Sequence, residues 1–416
     1  MTTIHRVTSQ DRRFPLKPGE GVDSIHSNPV YSYAVTLLET DKGIAGTGLA
    51  FTLGDGNDLV CQAIDHLAQS LVGREIHELM ADWGTVSRSL ADHPQLRWVG
   101  PHKGVVHLAL ASITNAVFDL WAKDRGVPLW KLLLDLSPEE VVALLDLSYL
   151  DEILDRDEAI TIIRNEQQLR GEREDVLTKG YPGYDTSVGW FDYPDEEIVE
   201  NAKRALDQGF AAMKLKVGSK DPKRDIHRTG LVREAVGDEV RLMVDANQAW
   251  SVPEALEICP RLAVNNLYWI EEPTHPDDVQ GHKKIAEAVA PTAIAAGEHI
   301  PNRVLFKNFM RMGGMKIVQV DATRVAGVSE FITVSLLARK FGLKVIPHVG
   351  DMGLIHRHLV LFNHIALGHE KLFLEAIPHL DSYFVHPAVV REGVYETPQE
   401  PGMGTDLKSE IHSSAL

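Results

Sequence analysis

Polar and apolar residues alternate along Ala212 to Val217, with Met213, Leu215 and Val217 apolar and Lys214 and Lys216 charged. Successive side chains in a strand point to opposite faces, so both ammonium groups share one face and the apolar set the other. From residue 182 onward such short runs recur. Strands are predicted at Tyr184 to Val188, Ala212 to Val217, Val240 to Ala246, Leu267 to Glu272, Thr292 to Gly297, Ile317 to Asp321, Lys344 to His348 and Leu372 to Ala376. Between most of them the apolar period lengthens to that of a helix, at Ile226 to Val236, Pro253 to Leu262, Asp278 to Ala288, Arg303 to Met312 and Ser329 to Phe341. Strands joined by helical crossovers imply a parallel sheet, and eight of them over 182–376 are most economically closed as a TIM-like (β/α) barrel. A doubly wound open sheet is the alternative, but no Gly-x-Gly-x-x-Gly follows a strand.

The first third reads differently. Ser32 to Thr40 and Ile44 to Leu53 flank Asp41-Lys42-Gly43, a hairpin turn, and the glycine-rich Leu53 to Asp58 reads as a turn into the next helix. Val106, Ala109, Leu110, Ile113, Ala116, Val117, Leu120 and Trp121 follow helical spacing, with Gly126 as a stop. Residues 1–130 are therefore expected to form an α+β domain. The charged stretch 131–181, with Pro138-Glu139-Glu140 as a helix start, is expected to be a helical insertion or linker.

Each barrel strand after the first ends in a group that packing does not call for: Lys216, Asp245, Glu271, Glu298, Asp321, His348 and Glu375. The gaps are 29, 26, 27, 23, 27 and 27 residues, one strand and helix each, so seven titratable groups reach one level. A single such residue would be a helix cap or a loop charge. Seven in register mark the C-terminal mouth, where barrels build active sites. Asp245, Glu271 and Glu298 sit on neighbouring strands roughly 4.8 Å apart and repel one another unless a cation joins them. An oxygen-only set favours Mg2+ over zinc. Two lysines near a dication should disfavour each other's protonation and lower at least one pKa toward that of a general base. Asp321 is placed to orient the His348 imidazole, and Asn247 and His299 are expected as supporting contacts. Such a site suits removal of a proton beside a carboxylate.

Composition narrows the partners. The chain has 416 residues, 44% apolar and 24% charged, enough for two domains or one large one. Forty-two Lys and Arg against 59 Asp and Glu give a net charge of -17, which argues against nucleic acid and anionic membranes, though not against a small anionic substrate. Cys61 and Cys259 form no metal or disulfide pattern, the first residues lack a signal-peptide core, and no uninterrupted apolar stretch reads as a membrane span. A reducing, cytoplasmic setting is expected.

Lys-Leu-Lys, Val-Asp-Ala-Asn-Gln, Trp-Ile-Glu-Glu-Pro, Gly-Glu-His, Gln-Val-Asp-Ala and Pro-His-Val-Gly, in that order, resemble the motifs of the enolase superfamily in its mandelate racemase branch. The stretches from Gln95, Thr186, Glu271 and Asn302 resemble L-fuconate dehydratases and related acid-sugar dehydratases. The resemblance implies a (β/α)7β barrel under an α+β capping domain, completed by a returning segment at 377–416, and a homo-oligomer. It implies one Mg2+ per active site on Asp245, Glu271 and Glu298, with Glu272 beside them; a Lys or His base with Mg2+ is the superfamily's arrangement. Lys216 would then remove the C2 proton of a sugar acid, such as an L-fuconate-like aldonate, with Lys214 near the substrate carboxylate. His348, paired with Asp321, would help the C3 hydroxyl leave, Glu375 would bond the enediolate, and a 2-keto-3-deoxy acid would result. Asp23 and Tyr31 match cap positions that close over the substrate's distal end. Ala-Ile-Pro-His-Leu after Glu375, the stretch Gly353 to His369 and Gly21-Val22-Asp23 depart from the dehydratase pattern, where substrate selectivity is set. The nearest alternative is a racemase or epimerase of a 2-hydroxy acid; a Schiff-base aldolase and a non-catalytic binding protein are further ones.

Overall fold

The computed structural model describes residues 1–409. Three antiparallel strands, β1 (Ile4–Pro15), β2 (Val30–Thr40) and β3 (Ala45–Thr52), form the first sheet in the order β1-β2-β3. The β2–β3 turn closes at Gly43, whose φ of 75° favours glycine there. The helix Gly104–Asp124 lies against this sheet so closely that a Cβ on Gly48 would stand 2.0 Å from Ser112 O. This helix is long and apolar enough to span a membrane by length and composition, but it is buried, packed between the sheet and the rest of the core.

Eight parallel strands follow: β4 (Tyr181–Gly189), β5 (Ala212–Lys216), β6 (Arg241–Asp245), β7 (Leu267–Glu271), β8 (Ala293–Ala296), β9 (Ile317–Val318), β10 (Lys344–Val345) and β11 (Leu374–Ala376). They neighbour one another from β4 to β10 in sequence order, and β11 pairs with β4 on its other side. No ladder joins β10 to β11 among the described residues, but Val349 N–H donates to Glu375 Oε2 at 3.4 Å above that gap. This is the expected barrel arrangement with a separate capping sheet, and the open doubly wound alternative falls.

Alternation explains the two barrel layers. Met213, Leu215, Val217, Leu242, Val244, Ile270 and Ile294 belong to the outer core against the helices. Ala212, Met243, Trp269, Ala295 and Ile346 fill the interior. One step of two residues along each strand carries the interior face from Ala212 to Lys214, from Met243 to Asp245 and from Trp269 to Glu271. The lysine face thus points inward.

Two contacts fix the cap on the barrel mouth. Tyr33 donates its hydroxyl to Gly350 O at 2.9 Å, and Asn115 Nδ2 donates to Leu49 O and Ala322 O, each at 3.0 Å. Both reach loops that follow predicted site residues. The returning segment also meets the cap, where Met403 N–H donates to Asp119 at 2.8 Å and Thr405 to Thr47 O at 2.6 Å.

Candidate active site

At the barrel mouth the candidate ligand atoms of Asp245, Glu271 and Glu298 lie within 4.8 Å of one another, and all three side chains are buried. Glu272, Glu298 and His299 form a second such group. There, however, His299 Nδ1 is already shared between Glu272 at 3.0 Å and Glu298 at 3.1 Å, which leaves it no free lone pair. The all-oxygen group is the better fit to a hard divalent cation. Its charge is incompletely balanced: burial, with Asp245 adding to it, pushes Glu271 up to about 8.

The lysines turn to these carboxylates. Lys216 Nζ lies 2.6 Å from Asp245 Oδ2 and donates to Asn247 Oδ1 at 2.9 Å; Lys214 Nζ lies 2.8 Å from Glu271 and 2.9 Å from Glu375. Burial alone would lower their pKa values. The charges of Asp245 for Lys216, and of Glu271 and Glu375 for Lys214, win and hold both above the usual lysine value. Among these side chains alone, direct contact with the carboxylates outweighs the mutual repulsion of the two lysines.

His348 Nδ1 lies 2.7 Å from Asp321 Oδ2, and its Nε2 lies 3.4 Å from Glu298. Burial opposes protonation, but Glu298 and Asp321 outweigh it and raise His348 to about 9. Asp321 is held below the usual carboxylate range; burial acts against this, and His356 and His348 overcome it. Among the carboxylates Glu298 is likewise drawn down, by His348 and His299 against burial, so the mutual raising expected for the trio falls on Glu271. Glu298, Asp321 and His348 lie two or three residues beyond the ends of β8, β9 and β10, where the loops hold them.

A cavity of about 340 Å3 brings Lys214, Lys216, Asn247, Glu298, His299, His348 and Glu375 together with Asp23 and Tyr31 of the cap. Asp23 accepts the N–H groups of Ile25 at 2.8 Å and His26 at 2.7 Å, which fixes the cap loop, and Ser24 donates to Ala246 O at 2.9 Å. Asp245, Glu271 and Asp321 lie beneath this lining. Sequence reasoning missed Arg324, which lines the cavity and forms no ion pair among the described residues. It sits one turn past Asp321, with its N–H on Asp321 O at 3.0 Å, and that spacing was its only signal. Trp190, 5.8 Å from Lys216 Nζ by its ring, and Asp55 in the glycine-rich loop were also missed as lining.

Residues 4–133 match the family described as Mandelate racemase / muconate lactonizing enzyme, N-terminal domain, and residues 197–411 match Enolase C-terminal domain-like. The chain is 40% identical to L-galactonate dehydratase of Hypocrea jecorina over 98% of this chain and 92% of that protein. The crystal structure of human mitochondrial enolase superfamily member 1 superposes with a TM-score of 0.95 at 39% identity, covering 98% of this chain and 95% of the other. That of L-talarate dehydratase from Polaromonas sp. JS666, complexed with Mg and L-glucarate, gives 0.76 at 25% identity, covering 99% and 96%. With both family domains matched in order around a mouth of buried carboxylates, lysines and a carboxylate-backed histidine, the chain belongs to the enolase superfamily, in its mandelate racemase branch.

Proposed function

We propose that this protein is a Mg2+-dependent acid-sugar dehydratase that converts an L-fuconate-like aldonate to a 2-keto-3-deoxy acid. The observation that carries the reading is that Lys216 on β5 and His348 after β10 bracket Asp245, Glu271 and Glu298 along the strand order, with His348 2.7 Å from Asp321. The L-galactonate and L-talarate dehydratase relatives, the latter complexed with Mg and L-glucarate, support it.

Asp245, Glu271 and Glu298 would hold one Mg2+, which supplies positive charge at the substrate carboxylate and so eases loss of the adjacent proton. Lys216 takes the C2 proton, and the C–H electrons move into the carboxylate to give an enediolate. Its ammonium form is favoured by Asp245, so neutralising that charge lowers its pKa toward the working range. Lys214 donates to a carboxylate oxygen of the substrate, and Glu375, 2.9 Å from Lys214 and held as a carboxylate by it against burial, orients that ammonium rather than bonding the enediolate itself. His348, oriented by Asp321 at 2.7 Å, gives its proton to the C3 hydroxyl, which leaves as water while the C2–C3 double bond forms. The enol then tautomerises to the 2-keto-3-deoxy acid. Asp23 and Asp55 line the cavity from the cap, and Arg324 lines it from the barrel. Asn247, His299 and Tyr31 complete the substrate contacts.

Because Lys216 and His348 bracket the site, a racemase or epimerase is the second reading. A panel of mono- and diacid sugars with Mg2+, scored with semicarbazide for 2-keto acids, separates the two: dehydration yields the keto acid and racemisation does not. The two buried free thiols, Cys61 and Cys259, agree with a cytoplasmic setting, and assembly as a homo-oligomer is part of the same proposal.

A further inference from the structure

A second carboxylate and imidazole lie behind the His348 site, fully buried and unused in the steps above. Asp351 Oδ1 is 2.6 Å from His356 Nδ1, and both side chains are 0% exposed. The Asp351 carboxylate is anchored at the start of the helix His356–Leu367 by the N–H groups of Gly353 and His356, each at 3.0 Å, and of Ile355. On the other side of the ring, Ala322 N–H points at His356 Nε2 from 2.9 Å, with Asp321 Oδ1 3.4 Å from the same atom. A peptide N–H only donates, so Nε2 presents its lone pair and the ring hydrogen sits on Nδ1, toward Asp351. Burial lowers this ring's pKa and Asp351 and Asp321 raise it, the carboxylates prevailing; a second ring hydrogen would face the Ala322 N–H.

The backbone of Ala322, the residue after Asp321, is therefore gripped on both sides, by His356 at its N–H and by Asn115 at its C=O. Asp321 in turn accepts Thr323 N at 2.6 Å, Thr323 Oγ1 at 2.7 Å and Gly350 N at 2.9 Å, and meets His348 at 2.7 Å. Apolar residues of similar volume would fill the space with less desolvation cost than a buried carboxylate and imidazole. A rigid demand on the Asp321 position accounts for the pair, since a displacement near 1 Å at a reacting group slows turnover sharply.

We propose that Asp351 and His356 are positioning residues that hold the Asp321–Ala322 peptide in place so that Asp321 can orient His348. This rests on the proton-donor role proposed for His348. His356→Leu removes both contacts, whereas His356→Gln keeps an acceptor for Ala322 N–H. The expected result for His356→Leu is a fall in kcat of roughly 10–100-fold, with KM within about threefold and Lys216-driven C2 exchange unchanged. His356→Gln returns kcat to within about fivefold of the parent.

A second readout needs no substrate. In 15N-histidine-labelled protein, the low-field Nδ1–H resonance of His348, identified by its loss in His348→Asn, moves or vanishes in His356→Leu and is restored in His356→Gln. If His356→Leu does not fold, His356→Asn, which reaches Asp351 but not Ala322, takes its place in both comparisons. An unchanged kcat and resonance in the folded variant overturns the proposal, as does equal impairment with Gln. If the parent protein turns over no sugar acid, the functional reading fails, and the resonance alone still decides the positioning.

Discussion

Lys216 Nζ stands 2.6 Å from Asp245 Oδ2, so the proposed base and a proposed metal ligand form one ion pair. Removing the amine should abolish chemistry without removing the site. Lys216→Ala is expected to lower kcat by roughly 10²–10⁴-fold, the usual span for a general base. Its circular dichroism and elution volume should match the parent's. Near-normal turnover would refute the role.

His348→Asn separates the two halves of the reaction. Without the acid, loss of the C3 hydroxyl should fall by a similar roughly 10²–10⁴-fold, while C2 exchange with solvent deuterium persists. Loss of both at once would assign His348 to the first proton transfer instead.

Chelation with EDTA should stop turnover, and Mg2+ should restore it. Because the ion binds only the assembled cluster of Asp245, Glu271 and Glu298, it should also raise the melting temperature. At a concentration a hundredfold above Kd the stabilisation is about 2.7 kcal/mol. Glu271→Gln should remove that concentration dependence, and a persistent shift would place the ion elsewhere.

His369 predicts a pH dependence of stability away from the site. Burial, opposed by the hydrogen bond to Ser335 O at 3.0 Å, lowers its pKa to about 4 from 6.5. The unfolded chain binds the extra proton first as pH falls, so the contribution is complete above pH 6.5 and is lost on acidification toward pH 4. At 1.36 kcal/mol per unit the span is on the order of 3 kcal/mol. Urea unfolding of the parent and His369→Gln between pH 7 and 4.5 should converge as pH falls; parallel curves would contradict this.

Glu330 joins cap and barrel. It meets His107 at 3.0 Å and Arg303 at 3.1 Å, all of them buried, and these partners overcome burial to hold its carboxyl well below the usual range. Glu330→Ala strands Arg303 and should cost roughly 3–5 kcal/mol, measured by urea unfolding. A loss under 1 kcal/mol would show that Asp146, 2.6 Å from Arg303, suffices.

The barrel was legible because its interior imposes a period of two on strands otherwise apolar. Lys214, Lys216, Asp245 and Glu271 break that rule in register, and the break itself located the mouth. β1 escaped notice because Gln10, Asp11, Arg12 and Arg13 occupy a half-buried edge strand with few apolar positions. His356–Leu367 is buried nearly all round and so shows no single apolar stripe, while the helix Asp195–Asp207 opens on three acidic residues ahead of its buried face at Ile198, Ala202 and Ala205. The ion pairs of Lys214 and Lys216 were hidden for another reason. Spacing along the chain places charges on strands, but which atoms come within 3 Å depends on the rotamers that packing selects. Arg324 belongs with these: one turn past Asp321 it reads as an ordinary loop cation until the cavity is seen.

The central claim is tested most directly by proton NMR of a turned-over sugar acid with enzyme and Mg2+ in D2O. The account predicts a 2-keto-3-deoxy acid that has lost the C2 hydrogen and carries one solvent deuterium at C3. A substrate that gains deuterium at C2, with or without inversion, and keeps its C3 hydroxyl would contradict it.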